Sequence, residues 1–161
     1  MRKELYKLAI GLALISVIMA VVVFAQSKEA AVGGRLEGAW NVRVSITNCQ
    51  TGGVIRSFDS VTQFMAGGTL IDSTSGIPQG LRTPGLGVWE HTTGPNYRFK
   101  FKSFTFDAAG NYTGYTVIQH DATISYTGDS SESSGTVEIF NSAGALVGTG
   151  CATTTATKFG F

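Results

Sequence analysis

The chain has 161 residues, enough for one domain with a real core and too few for several. Its 12 Lys and Arg stand against 11 Asp and Glu and are scattered, not clustered with aromatics on one face, so nucleic acid is not expected as a partner. Two cysteines and two histidines far apart in the chain are too few for a structural metal centre, and neither a metal nor a cofactor is expected.

Arg2, Lys3 and Lys7 precede an uncharged apolar run from Leu8 to Ala25, which gives way to Gln26-Ser27-Lys28-Glu29. A basic head, an apolar middle and a small residue at the exit are the order of a secretory signal, with cleavage expected after Ala25. The run is also about as long as the roughly 18 residues that span a bilayer, so an uncleaved anchor is the alternative and the one membrane contact expected. The domain reading is therefore a signal peptide or anchor over 1–25, a flexible leader over 26–36 and a β-barrel domain over 37–161. Loss of residues 1–25 leaves nine Lys and Arg against ten Asp and Glu. The location implied is secreted, periplasmic or cell envelope.

From Gly38 onward no helical period is sustained, whereas short β-rich runs separated by glycine turns recur, which makes the class all-β. The first strand is expected over Gly38 to Cys49, with Trp40, Val42, Val44 and Ile46 on one face. Strands follow at Val54–Phe64 and Thr69–Ser73, and then a loop over 76–87 that Pro78 and Pro84 bar from a central strand. Val88–Thr92 comes next. In the fifth strand Tyr97, Phe99 and Phe101 alternate with Arg98, Lys100 and Lys102, after which the aromatic set changes phase to Phe104 and Phe106. That jump predicts a bulge near Lys102-Ser103. Tyr112–Tyr126 is the sixth strand, 128–134 a polar connection, and Thr136–Asn141 and Ala145–Phe159 the last two.

Eight strands joined by tight turns suit an antiparallel up-and-down barrel, because closure removes exposed edges. A two-sheet sandwich has the same strand count. In an exported chain Cys49 and Cys151 read as a disulfide, and a bridge closing so long a loop is assigned about 4 to 5 kcal/mol by chain entropy. With these two residues opposite one another on antiparallel first and last strands, Arg43 faces Thr157, Val44 faces Ala156, and Lys158 shares the face of Trp40.

Gly38-Ala39-Trp40 at the head of the first strand, with Lys158 on the last, resembles the lipocalin and wider calycin pattern, in which Gly-x-Trp opens the first strand and a late basic residue packs over the indole. The resemblance implies barrel-floor packing for Trp40 and Lys158, although the usual basic residue is Arg. The stretch from Leu36 to Phe159, with Asn48-Cys49, Ala66-Gly67-Gly68-Thr69-Leu70, Gly85-Leu86-Gly87-Val88-Trp89-Glu90 and Gly150-Cys151-Ala152-Thr153, also resembles a group of exported bacterial proteins, which implies export and the fold but no activity.

Trp89, Tyr97, Phe99 and Phe101 are the candidate ligand-binding residues: as aromatics of neighbouring strands beside the proline-containing loop they either line a pocket or belong to the core. Arg98, Lys100 and Lys102 read as the solvated face. Glu90-His91 and His120-Asp121 are the only acid–imidazole neighbours, and adjacent strand residues point to opposite faces, so neither is a catalytic dyad. No nucleophile elbow or phosphate loop is present, and no catalytic residue is expected.

Three functions compete. One is a barrel holding a small apolar or amphipathic ligand. Another is a filled barrel with a structural or interaction role in the envelope, and the third an enzyme of the allene-oxide-cyclase or dirigent type. An apolar void of at least about 300 Å³ beside residues 76–87 distinguishes the first from the second.

Overall fold

The computed structural model describes residues 36–160, so the signal helix or membrane anchor expected over residues 1–25 and leader residues 26–35 lie outside the described residues. The described residues belong to the second of two units, Arg35–Phe161. Eight strands follow in chain order: β1 Gly38–Thr47, β2 Val54–Met65, β3 Thr69–Thr74, β4 Gly85–Thr93, β5 Asn96–Phe106, β6 Tyr112–Ile124, β7 Ser130–Asn141 and β8 Leu146–Lys158. One 3-10 turn, Gln79–Leu81, lies between β3 and β4. Each strand pairs antiparallel with its sequence neighbours and β8 pairs with β1, so the sheet closes into an up-and-down barrel and not a sandwich. Tight turns make this order: Gly67 and Gly68 between β2 and β3 have φ of 88° and 84°, a region that side chains disfavour.

Stepping across paired residues from Gly38 through Phe64, Leu70, Gly87, Phe101, Ile118 and Val137 leads to Gly150, next to Cys151, the partner of Thr47. One circuit therefore climbs about ten residues, a stagger that tilts the strands steeply and gives eight of them a bore that side chains can fill or that can hold one small ligand.

The closing register differs from the expected one by two residues. Trp40 faces Lys158, Arg43 faces Thr155 and Val44 faces Thr154. Cys49 lies in the turn beyond β1, where the Asn48 side chain accepts hydrogen bonds from the Gln50 and Thr51 amides, and it bridges to Cys151 in β8 at a Cα–Cα distance of 5.2 Å. The bridge thus joins a turn to a strand, not two ladder partners. An even displacement keeps every side chain on its expected face.

The bulge expected at Lys102-Ser103 is absent. β5 pairs without interruption with β6 from Asn96 to Thr105, and the irregularity falls between Thr105 and Phe106. Ser103 takes the interior position and is 1% exposed, while Phe104 faces outward beside Lys102, whose Nζ lies 5.2 Å from the ring centroid. A polar partner inside the barrel, described below, explains why serine interrupts the inward aromatic series.

Two further strands begin earlier than expected. β4 starts at Gly85, and β7 starts at Ser130 inside the expected connection. Gly85 and Gly87 carry no apolar side chain to announce a strand, and Ser131 and Ser133 present hydroxyls to the interior where an apolar residue would be the usual signal.

At the end where β1 begins, Trp40, Phe64, Leu70, Trp89, Tyr97 and Ile124 pack into a plug. Leu36, the last residue of the expected leader, is part of it: it is buried, and its carbonyl accepts the Trp40 Nε1–H at 2.8 Å. Lys158 Nζ sits 5.3 Å from the Trp40 ring centroid and covers the indole from the barrel floor.

Candidate functional site

Above the plug the bore is not filled. A cavity of about 380 Å³ runs toward the opposite end, walled by Val42, Val44 and Ile46 of β1, Phe99 and Phe101 of β5, Ile118 of β6, and Val137 and Ile139 of β7. Phe58 and Ile77 border it near the mouth, where the Cys49–Cys151 bridge also lies.

The opening follows from residue size. The inward positions of β7 and β8 include Ser131, Ser133, Gly150, Ala152, Thr154 and Ala156, which are too short to reach across. Two large rings of the wall lie close over glycines. A Cβ on Gly85 would meet the Phe101 ring at 2.5 Å, and one on Gly135 would meet the His120 Cδ2 at 2.5 Å.

Two polar clusters interrupt the apolar wall. In the first, Arg82 enters from the segment before β4 and is 8% exposed. Its Nη2 donates to Asp72 Oδ1 at 3.2 Å and its Nε to Ser103 Oγ at 2.9 Å. Asp72 Oδ2 accepts from Ser60 at 2.6 Å and from Thr62 at 3.0 Å, and Ser103 shares a hydrogen bond with Thr116 at 2.8 Å. The ion pair is thus enclosed by hydroxyls, the condition under which a buried pair is tolerated. Arg82 reaches this position because residues 82–83 pair with β5 beyond Pro84, through the Arg82–Thr105 bridge and the Thr83 amide to the Phe104 carbonyl.

The second cluster lies on β6, β7 and β8. His120 Nδ1 and Ser133 Oγ are 2.7 Å apart, and Ser133 Oγ is 2.7 Å from Thr154 Oγ1. The imidazole stacks on Phe99 with centroids 5.4 Å apart. Burial pushes its pKa down to about 4, against a smaller opposing pull from Asp121, so the ring is neutral at pH 7. Asp121 follows it in β6 and is exposed on the outer face, so no carboxylate backs the imidazole.

The aromatic quartet expected at the ligand is divided by the fold. Phe99 and Phe101 line the cavity. Trp89 and Tyr97 sit in the plug: Trp89 Nε1 donates to the Met65 carbonyl at 3.0 Å, and the two rings are 6.0 Å apart. Trp40 and Lys158 meet at the floor. Glu90 is on the outer face, paired with Arg98, and His91 Nε2 contacts the Gly94 carbonyl at 2.9 Å, so His91 and His120 do not converge. Among the described residues no group of three or more His, Cys, Asp or Glu is placed to hold a metal ion.

Asp72, Arg82 and Ser133 escape a reading by motif. The available signal was parity: Asp72 is two residues from Leu70 in one strand, so both face the same side. A carboxylate on the side of a core leucine calls for a buried partner.

The closed eight-stranded antiparallel barrel fits a calycin-like architecture. No family model, no curated protein and no solved structure matches the chain.

Proposed function

We propose that this protein is an exported barrel that holds one small apolar or amphipathic molecule in its bore. The observation that carries the reading is the 380 Å³ cavity beside Gly76 and Ile77, within the range of about 300–1,000 Å³ common for small-molecule sites. The walls are mainly aliphatic and aromatic, with a few convergent polar groups, which is the usual composition of such sites. Export is supported by the disulfide, which is typical of oxidising compartments, and by the basic and apolar order of residues 2–25.

Native mass spectrometry of the oxidised protein, gently purified from the secreted and envelope fractions of its own host, tests the proposal against a denatured control. Added mass that disappears on denaturation is the expected result. A bare polypeptide mass from both fractions would replace this reading with that of a structural or interaction protein.

A further inference from the structure

The neutral edge of His120 is the one polar group of its cluster left unspent. Nδ1 is bound to Ser133, and Gly135 lies against Cδ2, so both of these ring atoms face β7. Nε2 has no hydrogen-bond partner among the described residues, and none of their sealed side-chain nitrogens or oxygens lacks one, so Nε2 is not sealed and reaches the cavity that His120 lines. The residue is only 3% exposed. It stands just above the floor: it pairs with Phe99 across the sheet, and Ala122, two residues on, already belongs to the plug.

The charges around the bore are set differently. Asp72 and Arg82 are bound to each other and to hydroxyls, and Arg56, stacked 5.1 Å from the Phe58 centroid, lines the cavity at its mouth, at the exposed start of β2 and away from the floor where His120 stands. A ligand anion placed deep in the bore would meet the Asp72 carboxylate with Arg82 already engaged, and a ligand cation would meet Arg82. Either would enter a low-dielectric space without a partner, which is costly. A hydroxyl or carbonyl meets no such penalty. When Nδ1–H donates to Ser133, Nε2 accepts from a hydroxyl; when the Ser133 hydroxyl donates to Nδ1, Nε2–H donates to a carbonyl.

Resting on the ligand-binding reading above, we infer that the bound molecule is uncharged and carries a hydroxyl or carbonyl group that hydrogen-bonds to His120 Nε2, with its aromatic or hydrocarbon body against Phe99, Phe101 and the aliphatic wall of β1. Selectivity then comes from the hydrogen bond, because a body of the same shape without the polar group leaves Nε2 buried and unpaired.

Three probes of similar shape test this on the full, oxidised protein by calorimetric titration at pH 7: 2-naphthol, 2-methylnaphthalene and 2-naphthoate. The expected result is that 2-naphthol binds about ten-fold more tightly than 2-methylnaphthalene and 2-naphthoate more weakly than both. His120→Leu is expected to bring the first ratio to about one. The ¹⁵N shift of His120 Nε2 in the wild-type protein, which needs no variant to fold, is expected to move on addition of 2-naphthol. Equal binding of 2-naphthol and 2-methylnaphthalene with an unmoved Nε2 would overturn the anchor and leave the binding barrel standing. Tightest binding by 2-naphthoate would overturn the preference for an uncharged ligand. Failure of all three to bind would overturn this inference and the binding reading together.

Discussion

The two ends of the barrel are built by different means. At the end where β1 begins, Trp40, Phe64, Trp89 and Tyr97 with Leu36 and Leu70 fill the bore, and stability there comes from apolar area removed from water. At the other end the bore stays open, and the wall is held by a disulfide and by a buried ion pair with the hydroxyls around it. Packing closes a space, whereas bonds within the wall hold it without occupying it. An open lumen in a small barrel therefore calls for wall bonds of this kind at the open end.

One large truncation at each end separates the two kinds of support. Trp40→Ala should cost about 3 to 5 kcal/mol by leaving a hole in the plug. Arg82→Ala should cost about 3 to 5 kcal/mol by stranding the Asp72 carboxylate. Denaturant titration measures both, and a cost for Arg82→Ala near zero would remove the ion pair from the account of the open end.

The paired change Cys49→Ser and Cys151→Ser should cost about 2 to 4 kcal/mol. Hydrogen exchange should then show faster opening of the end of β1 and the start of β8, with amides around Leu70 and Tyr97 changed least. Equal loss at both ends would mean that the bridge acts on the whole barrel and not on its mouth.

His120, just above the floor, adds a pH dependence of its own. Its folded-state pKa of about 4 lies below the ordinary 6.5, so between these values the unfolded chain binds the proton first. Stability should be full above about pH 6.5, fall by about 3 kcal/mol as the pH drops to about 4, and then level. Carboxylates titrate nearby, so the check is the difference between wild type and His120→Leu, which should lack this component.

Smaller effects sharpen the contrast between filled and open space. Leu70→Phe, in the plug, should cost about 1 to 3 kcal/mol by overpacking, whereas Val44→Leu, on the cavity wall, should cost less than about 1 kcal/mol. Lys158→Met should cost about 0.5 to 1 kcal/mol through loss of the cation over the Trp40 ring. Thermal unfolding of the three variants ranks them.

Those contrasts also mark where the sequence was legible. Alternation and glycine turns were enough for eight strands, because Trp40 to Ile46 and Tyr97 to Phe101 show period 2 in apolar residues. The pairing of Cys49 with Cys151 was legible too, but the register was not, since a bridge reaching from a turn permits an offset of two residues. Where the wall turns polar or small the signal fades. Ser131 and Ser133 looked like a linker, Gly85 and Gly87 looked like a loop, and Ser103 next to Phe104 looked like a bulge. Each lapse falls where an inward position is small or polar, because leaving a bore unfilled requires residues that do not look like core. For the same reason the cavity itself, and the partnership of Asp72 with Arg82, depend on contacts between strands that no local pattern carries.

The most direct measurement is a methyl-resolved NMR titration of the oxidised protein with 2-naphthol. Shifts are expected at Val44, Ile46, Ile118 and Val137 around the cavity, with Leu70 and Ile124 in the plug unmoved. Shifts confined to the outer-face methyls of Val61, Ile71 and Leu86, or none up to the solubility of the probe, would contradict the claim that the open end is a binding chamber.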